Sequence, residues 1–292
     1  MRPLTTYKLI LKRLADDWKL FLSIFVGMTF AASLLAGAPV YIRTLERQSI
    51  DTAIERADQF YLNIFAFGSK LPLSRDSLNE TGAVVDDSIT GRLSDISRGH
   101  ERYLKTSSYL VGTPRNPLSS EPGALISRGY FQQISRLNDH VSWRSGRMAS
   151  DDVTLGPDGP RIEGVISTFT SSAFGIGPGD QVVFTSSLFD PTRITVDIVG
   201  VLEPNDKNEE FWRQSANSFL APMPLNEPAD PGVRIDREDP PLALFTSYEG
   251  MAAGVGAAYP GSLINSDWYI FVDKQGLMGW SKEKARNRIA EF

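Results

Sequence analysis

The sequence predicts an α+β fold class: an N-terminal transmembrane helix that continues as a stalk into a mixed α/β extracytoplasmic domain with a small β-rich subdomain. Three observations predict it. Leu20–Ile42 is a long apolar run without a charged side chain. The helical pattern continues from Val40 to Phe60 with no Gly or Pro. Beyond it, strand, helix and tight-turn signals alternate as in an α/β layer.

As a helix, Leu20–Ile42 is about 34 Å long, enough to cross a hydrocarbon core of about 30 Å. Leu20, Phe25, Phe30, Leu35 and Ile42 mark the span. With Phe21, Leu22, Ile24, Val26 and Met28 they surround the helix, so no polar face remains for water. A secretory signal peptide is the alternative, since Ala36-Gly37-Ala38 resembles a cleavage site. The run exceeds the usual apolar region of about 7–15 residues, and Pro39 would follow the cut. Either way the bulk of the chain lies outside.

Arg2, Lys8, Lys12, Arg13 and Lys19 precede the span, against Asp16 and Asp17. Such residues stay cytoplasmic, so the expectation is a cell-membrane protein with its N-terminus in the cytoplasm and its main domain extracytoplasmic. Tyr7, Ile10, Leu11, Leu14 and Trp18 form one apolar stripe. Residues 1–19 are therefore expected to be an interfacial amphipathic helix against membrane lipid. The competing reading is the first turn of the span with its Lys side chains snorkelling. Ser23, Gly27 and Ala31 recur every fourth residue, a row that lets a second helix approach closely. Pro39 is expected to kink the outer end. Residues 43–58 form the stalk, with Ile42, Leu45, Ser49, Ala53, Ile54 and Ala57 on one stripe.

The chain has 292 residues, 41% hydrophobic and 22% charged, so the part beyond residue 58 has the size and composition of a folded core. It has no Cys, which excludes disulfides and Cys-based metal sites. Net charge is −5 and the basic excess sits at the N-terminus, which argues against a nucleic-acid partner.

Phe60–Phe67 is expected to be a buried strand stopped by Gly68, and Leu71–Ala83 a loop. Asp86–Lys105 is expected to be a helix with Ile89, Leu93, Ile96 and Tyr103 on its buried face. Ser108–Gly112 is a short strand. Ala124–Ile134 carries a strand and a turn around Gly129-Tyr130-Phe131. Turn signals mark Gly156 to Pro160, and a short helix ends at Phe174-Gly175. Gly177-Pro178-Gly179-Asp180 is a tight turn, with Asp180 capping it through its own side chain. Gln181–Thr185 and Ile194–Leu202 are strands, so the β-rich part covers about residues 150–215. Ala221–Pro241 is a Pro-rich loop. Leu242–Thr246 and Trp268–Asp273 are strands, and Gly250–Gly261 is small and flexible. Ser281 opens a helix still running at Phe292, so the sequence is expected to continue.

The order Gly129-Tyr130-Phe131, Gly146-Arg147, Val165-Ile-Ser-Thr168, Phe174–Phe184 and Ile194–Leu202 resembles the extracytoplasmic core domain of MacB/FtsX-like ABC-transporter permeases. The leading helices are similar too. The stretch 221–241 has no counterpart there, and the family's later membrane helices are absent. The resemblance implies a permease subunit without ATP binding of its own. It implies a cytoplasmic ABC ATPase subunit as partner, together with other permease helices or a second permease copy. Family members export substrates or control envelope enzymes, and nothing in the sequence chooses between these roles.

No catalytic, cofactor or metal site is expected, and the chain is not expected to be an enzyme. Gly175, Gly177 and Gly179 look like a phosphate loop only superficially. Pro178 interrupts them, a strand follows, and no Gly-Lys-Ser/Thr is present. His100 and His140 have no ligand spacing and are expected on the surface, His100 on a helix. No G-x-S-x-G occurs, and Asn79-Glu80-Thr81 is a chance sequon. The rival to a permease is a single-span anchored binding or sensor module. An anchored hydrolase has no supporting constellation.

Overall fold

The computed structural model describes residues 12, 17–119, 125–213, 215–223, 234–235 and 240–291. The expected interfacial helix around Tyr7–Leu14 and most of the Pro-rich loop lie outside the described residues. The chain divides into two compact units, Met1–Ala57 with Met278–Ser281, and Asp58–Leu277 with Lys282–Phe292. Each is described on its own.

In the first unit, helix α1 runs unbroken over Trp18–Arg56, through Pro39. It is long and apolar enough to cross a membrane, and none of its residues is buried. Thr29 and Ser33 donate to the carbonyls of Phe25 and Thr29, each at 2.8 Å. These hydroxyls are thus satisfied without water. Ala57 and Asp58 are extended, with ψ near 139° and 138°, so the helix stops there. Of residues 43–58, expected to form a stalk, the helix covers those up to Arg56, and the unbroken helical pattern into Phe60 is not realised.

The second unit opens with the turn α2, Gln59–Leu62, capped by Asp58 Oδ1 on the Phe60 amide at 2.9 Å. There follow β1 (Ile64–Pro72), α3 (Arg75–Arg92), β2 (Ser97–Thr106), β3 (Tyr109–Gly112), β4 (Leu125–Ile134), β5 (Val141–Gly146), β6 (Val153–Gly156) and β7 (Gly159–Ser167). Next come α4 (Thr168–Phe174), β8 (Gln181–Thr185), β9 (Ile194–Pro204), α5 (Asn217–Leu220), β10 (Arg234–Ile235) and β11 (Leu242–Phe245). A π-helical turn (Gly250–Val255), α6 (Gly256–Ala258), β12 (Leu263–Val272), α7 (Lys274–Met278) and α8 (Lys282–Glu291) complete the order.

The strands β4-β11-β7-β9-β8-β3 are paired in that order, and β3 pairs back onto β4, which closes a six-stranded barrel. From β4 the sheet also runs outward through β2 and β12 to the free edge strand β1, all antiparallel. Side chains on a strand alternate between faces. Leu104, Phe131, Ile166, Phe184, Val196 and Leu244 pack on one face. Tyr103, Ile134, Val165, Leu202, Phe245 and Tyr269 pack on the other, against Phe211 and Trp212. The β-rich stretch 150–215 thus supplies staves β7, β8 and β9 of a barrel shared with β3, β4 and β11.

Several expected elements differ. Helix α3 begins at Arg75, where Ser74 Oγ accepts from the Ser77 amide at 3.2 Å. It ends at Arg92, and Ser97–Thr106 is a strand. Ile89, Leu93, Ile96 and Tyr103 are all buried, but only Ile89 lies on the helix. Pairing of β2 with β12 outweighs the helical spacing. β1 runs through Gly68 to Pro72 and is an edge strand rather than a buried one. Gly129-Tyr130-Phe131 lies inside β4 without a turn, because β3 and β11 both pair there. Residues 250–258 are helical and largely buried, and their small size lets the turn press against the barrel.

Candidate functional site

The described sheet carries a cleft of about 620 Å³. Its floor is one face of the outer strands, where the register sets Phe65 opposite Tyr269, Asp267 opposite Tyr103, and Lys105 opposite Gln132. Phe60 and Tyr61 of α2, with Arg213, Ser218 and Phe219, complete the lining. The segment that carries Arg213 and Phe219 is fastened by buried groups. Tyr103 Oη donates to the Phe211 carbonyl at 2.5 Å, Gln132 Nε2 donates to the Phe219 carbonyl at 3.1 Å, and Trp212 is fully buried.

Arg213 packs among two rings and a carboxylate. Its guanidinium carbon lies 4.2 Å from the Tyr103 ring centroid and 4.4 Å from that of Phe65. Its Nη2 lies 3.2 Å from Asp267 Oδ2. Its Nε is buried and, among the described residues, has no hydrogen-bond partner, as suits a position against ring faces. The backbone of Arg213 has φ +57° and ψ −114°, a strained conformation of order 1–3 kcal/mol. Cation–π attraction of about 0.5–2 kcal/mol per ring offsets that strain.

Asn63 also lines the cleft. It donates to Glu210 Oε1 and to Tyr269 Oη, and it accepts from the Val272 amide at 2.9 Å. Glu210 is also held by both oxygens to Arg98 Nη2 at 3.1 and 2.9 Å. Burial pushes the Tyr103 and Tyr269 hydroxyls above the usual phenol range, so both stay protonated. Lys105 Nζ stands 4.0 Å over the Tyr130 ring.

None of these residues was singled out as a ligand site by sequence. Leu20, Phe25, Phe30, Leu35 and Ile42 lie exposed on α1, and Ser23, Gly27 and Ala31 line one of its faces. The phosphate-loop look-alike caps α4: Gly175 has φ +62° and Gly179 φ +98°, conformations that suit glycine. The Gly177 amide donates to Asp180 Oδ2 at 2.8 Å, and the Asp180 amide to the Gly177 carbonyl at 3.0 Å. Gly146-Arg147 ends β5, and Arg147 holds Glu163 of β7 by two bonds of 2.6 and 2.5 Å. The glycines and the Gly-Arg pair therefore fasten the barrel.

His100 lies on β2, not on a helix, with Nε2 at 3.0 Å from Asp86 Oδ1. His140 is largely covered: it stacks on Phe211 at 3.7 Å and sets Nδ1 2.7 Å from Glu209 Oε1. Among the described residues, no group of three or more His, Asp or Glu side chains is placed to hold a metal ion.

No family model matches the chain, and no curated protein matches it. The ordered segments Gly129–Phe131, Gly146-Arg147, Val165–Thr168, Phe174–Phe184 and Ile194–Leu202 all lie in or beside the barrel.

Proposed function

We propose that this chain is the membrane-spanning permease subunit of an ABC transporter of the MacB/FtsX-like type. A separate cytoplasmic ATPase drives it, and the chain carries displacement to an outer domain for export or envelope mechanotransmission. The observation that supports this reading most is α1: one unbroken helix, apolar around its whole circumference at first, then charged as far as Arg56. Its internally bonded hydroxyls suit a bilayer, where water cannot satisfy them. A continuous helix passes displacement along its length, whereas a flexible linker dissipates it.

Replacing Ser49-Ile50-Asp51-Thr52 with four glycines tests the reading, at about 1 kcal/mol of helix propensity per Gly relative to Ala. The second unit starts at Asp58 and keeps its core. The variant is expected to reach the membrane, to retain its ATPase partner and to lose the cellular task. Normal function of the variant contradicts the proposal. It would favour the second reading, a single-span anchored binding module. Two observations favour that reading: the extended joint at Ala57-Asp58 and the cleft.

A further inference from the structure

We propose that the ring-lined box around Arg213 is a binding site for a small guanidinium-bearing cation, and that Arg213 is its built-in competitor. The inference is independent of the transport reading.

The box already holds the ligand's chemistry. The Arg213 guanidinium carbon lies 4.2 Å from the Tyr103 ring centroid, 4.4 Å from that of Phe65 and 5.8 Å from that of Phe219. Asp267, opposite Tyr103 in the ladder, supplies the anion. Ring faces beside a carboxylate suit an organic cation, and a flat guanidinium both stacks on a ring and forks onto a carboxylate. The adjoining space of about 620 Å³ falls in the range of ligand pockets, about 300–1,000 Å³, so it has room for the body of a small molecule.

Arg213 fills the box imperfectly. Its hydrogen bond to Asp267 runs from Nη2 alone, at 3.2 Å, and among the described residues the Asp267 carboxylate accepts from no other side chain. Its Nε is buried and has no partner among the described residues. Its backbone sits at φ +57° and ψ −114°, in the region that favours glycine, and strain of this kind recurs at ligand clamps. A free ligand carries no such backbone constraint, so it can set two parallel N–H groups on the two carboxylate oxygens. Exchange also conserves charge. The ligand brings in one positive charge as Arg213 takes one out, so the charge that faces Asp267 and Lys105 in the lining is the same before and after. A neutral or anionic ligand in the box would leave the largely covered Asp267 without its cation.

Two probes of one shape test the proposal: N-acetylarginine amide and N-acetylcitrulline amide, which differ as a charged guanidinium and a neutral urea. They are titrated calorimetrically into the full chain in phosphatidylcholine nanodiscs, with empty nanodiscs subtracted. The arginine probe is expected to saturate one site on the unsubstituted chain, and the citrulline probe to bind about tenfold weaker. A competitor that holds the box about nine-tenths of the time lowers apparent affinity about tenfold, so Arg213→Ala should bind the arginine probe about tenfold tighter. Adding Asp267→Asn to that variant should weaken binding about tenfold, with the near-ultraviolet circular dichroism retained. Ser218→Trp, which fills the adjoining space, should abolish binding with the fold retained. If Arg213→Ala does not fold, the preference of the unsubstituted chain between the probes and Ser218→Trp decide. Equal binding of the two probes, no saturable binding to the folded unsubstituted chain, binding by Arg213→Ala no tighter than by that chain, or unchanged binding in Ser218→Trp each overturns the proposal.

Discussion

Phe184 and Phe67 are both strand phenylalanines, yet Phe184 is fully buried in the barrel and Phe67 is 71% exposed on β1. Phe184 packs against Phe131 at 4.4 Å between ring centroids, among residues drawn from every stave. Among the described residues, Phe67 stacks only on Phe65, on a strand paired on one side alone. Closing a sheet removes its edges and encloses one face. Leaving β2, β12 and β1 to one side of the closure gives an open face on which a cleft can form. The same sheet thus supplies a packed scaffold at one end and an adaptable surface at the other. The Gly129–Phe131, Gly146-Arg147 and Gly175–Asp180 segments lie in or beside the scaffold, and the cleft lies in the surface.

Substitutions can break or sharpen this contrast, and the largest effect belongs to the barrel. Phe184→Ala should lower unfolding stability by about 3–5 kcal/mol in chemical denaturation, as expected for a large buried aromatic. A loss below about 1 kcal/mol would mean that the barrel is not the rigid part.

A smaller effect belongs to the pin between β5 and β7. Arg147, with the Ser150 amide at 2.8 Å, holds the Glu163 carboxyl down to about 2. A depressed folded value stabilises above the ordinary carboxylate range, about 4.3, and that contribution is lost as pH falls toward 2. Arg147 is more than half exposed, so solvent screening keeps the contribution small. Glu163→Gln should therefore flatten the stability profile between about pH 4.5 and pH 2 and leave the slope above pH 5 unchanged. An unchanged acid limb would show that the pair does not fasten the barrel in solution.

The smallest effect belongs to the edge. Phe67→Ser should shift stability by no more than about 0.5 kcal/mol. A loss of several kcal/mol would mean that β1 is part of the cooperative core.

Legibility in the sequence follows the same division. The long apolar helix, the capped turn at Gly175–Asp180 and strands β8 and β9 were readable because each is set by neighbouring residues. The helical spacing of Ile89, Leu93 and Ile96 was real as burial but misleading as secondary structure. Strand β2 is fixed by β12, whose residues lie far along the chain, and a local pattern cannot contain that partner. Residues 250–258 looked flexible because Gly and Ala carry no patterning signal, although their smallness is what allows close packing. The cleft was invisible for a related reason. Asn63, Tyr103, Arg213 and Tyr269 meet only after β1, β12, β2 and β4 are laid side by side. Arg213 sits in a connection whose sequence announces neither a turn nor a ligand. The alternation of Asn63, Phe65 and Phe67 hinted at a two-faced strand, but the run of apolar residues around it suggested burial instead.

Hydrogen exchange on the folded full chain tests most directly whether the barrel is the scaffold and the outer strands the adaptable face. Amides of β7 and β9, paired on both sides within the barrel, should exchange only through global unfolding. Amides of β1, paired on one side, should exchange through local opening, on the order of 100-fold faster. Equal protection of β1 and of the barrel strands would contradict the division, because the whole sheet would then open as one unit.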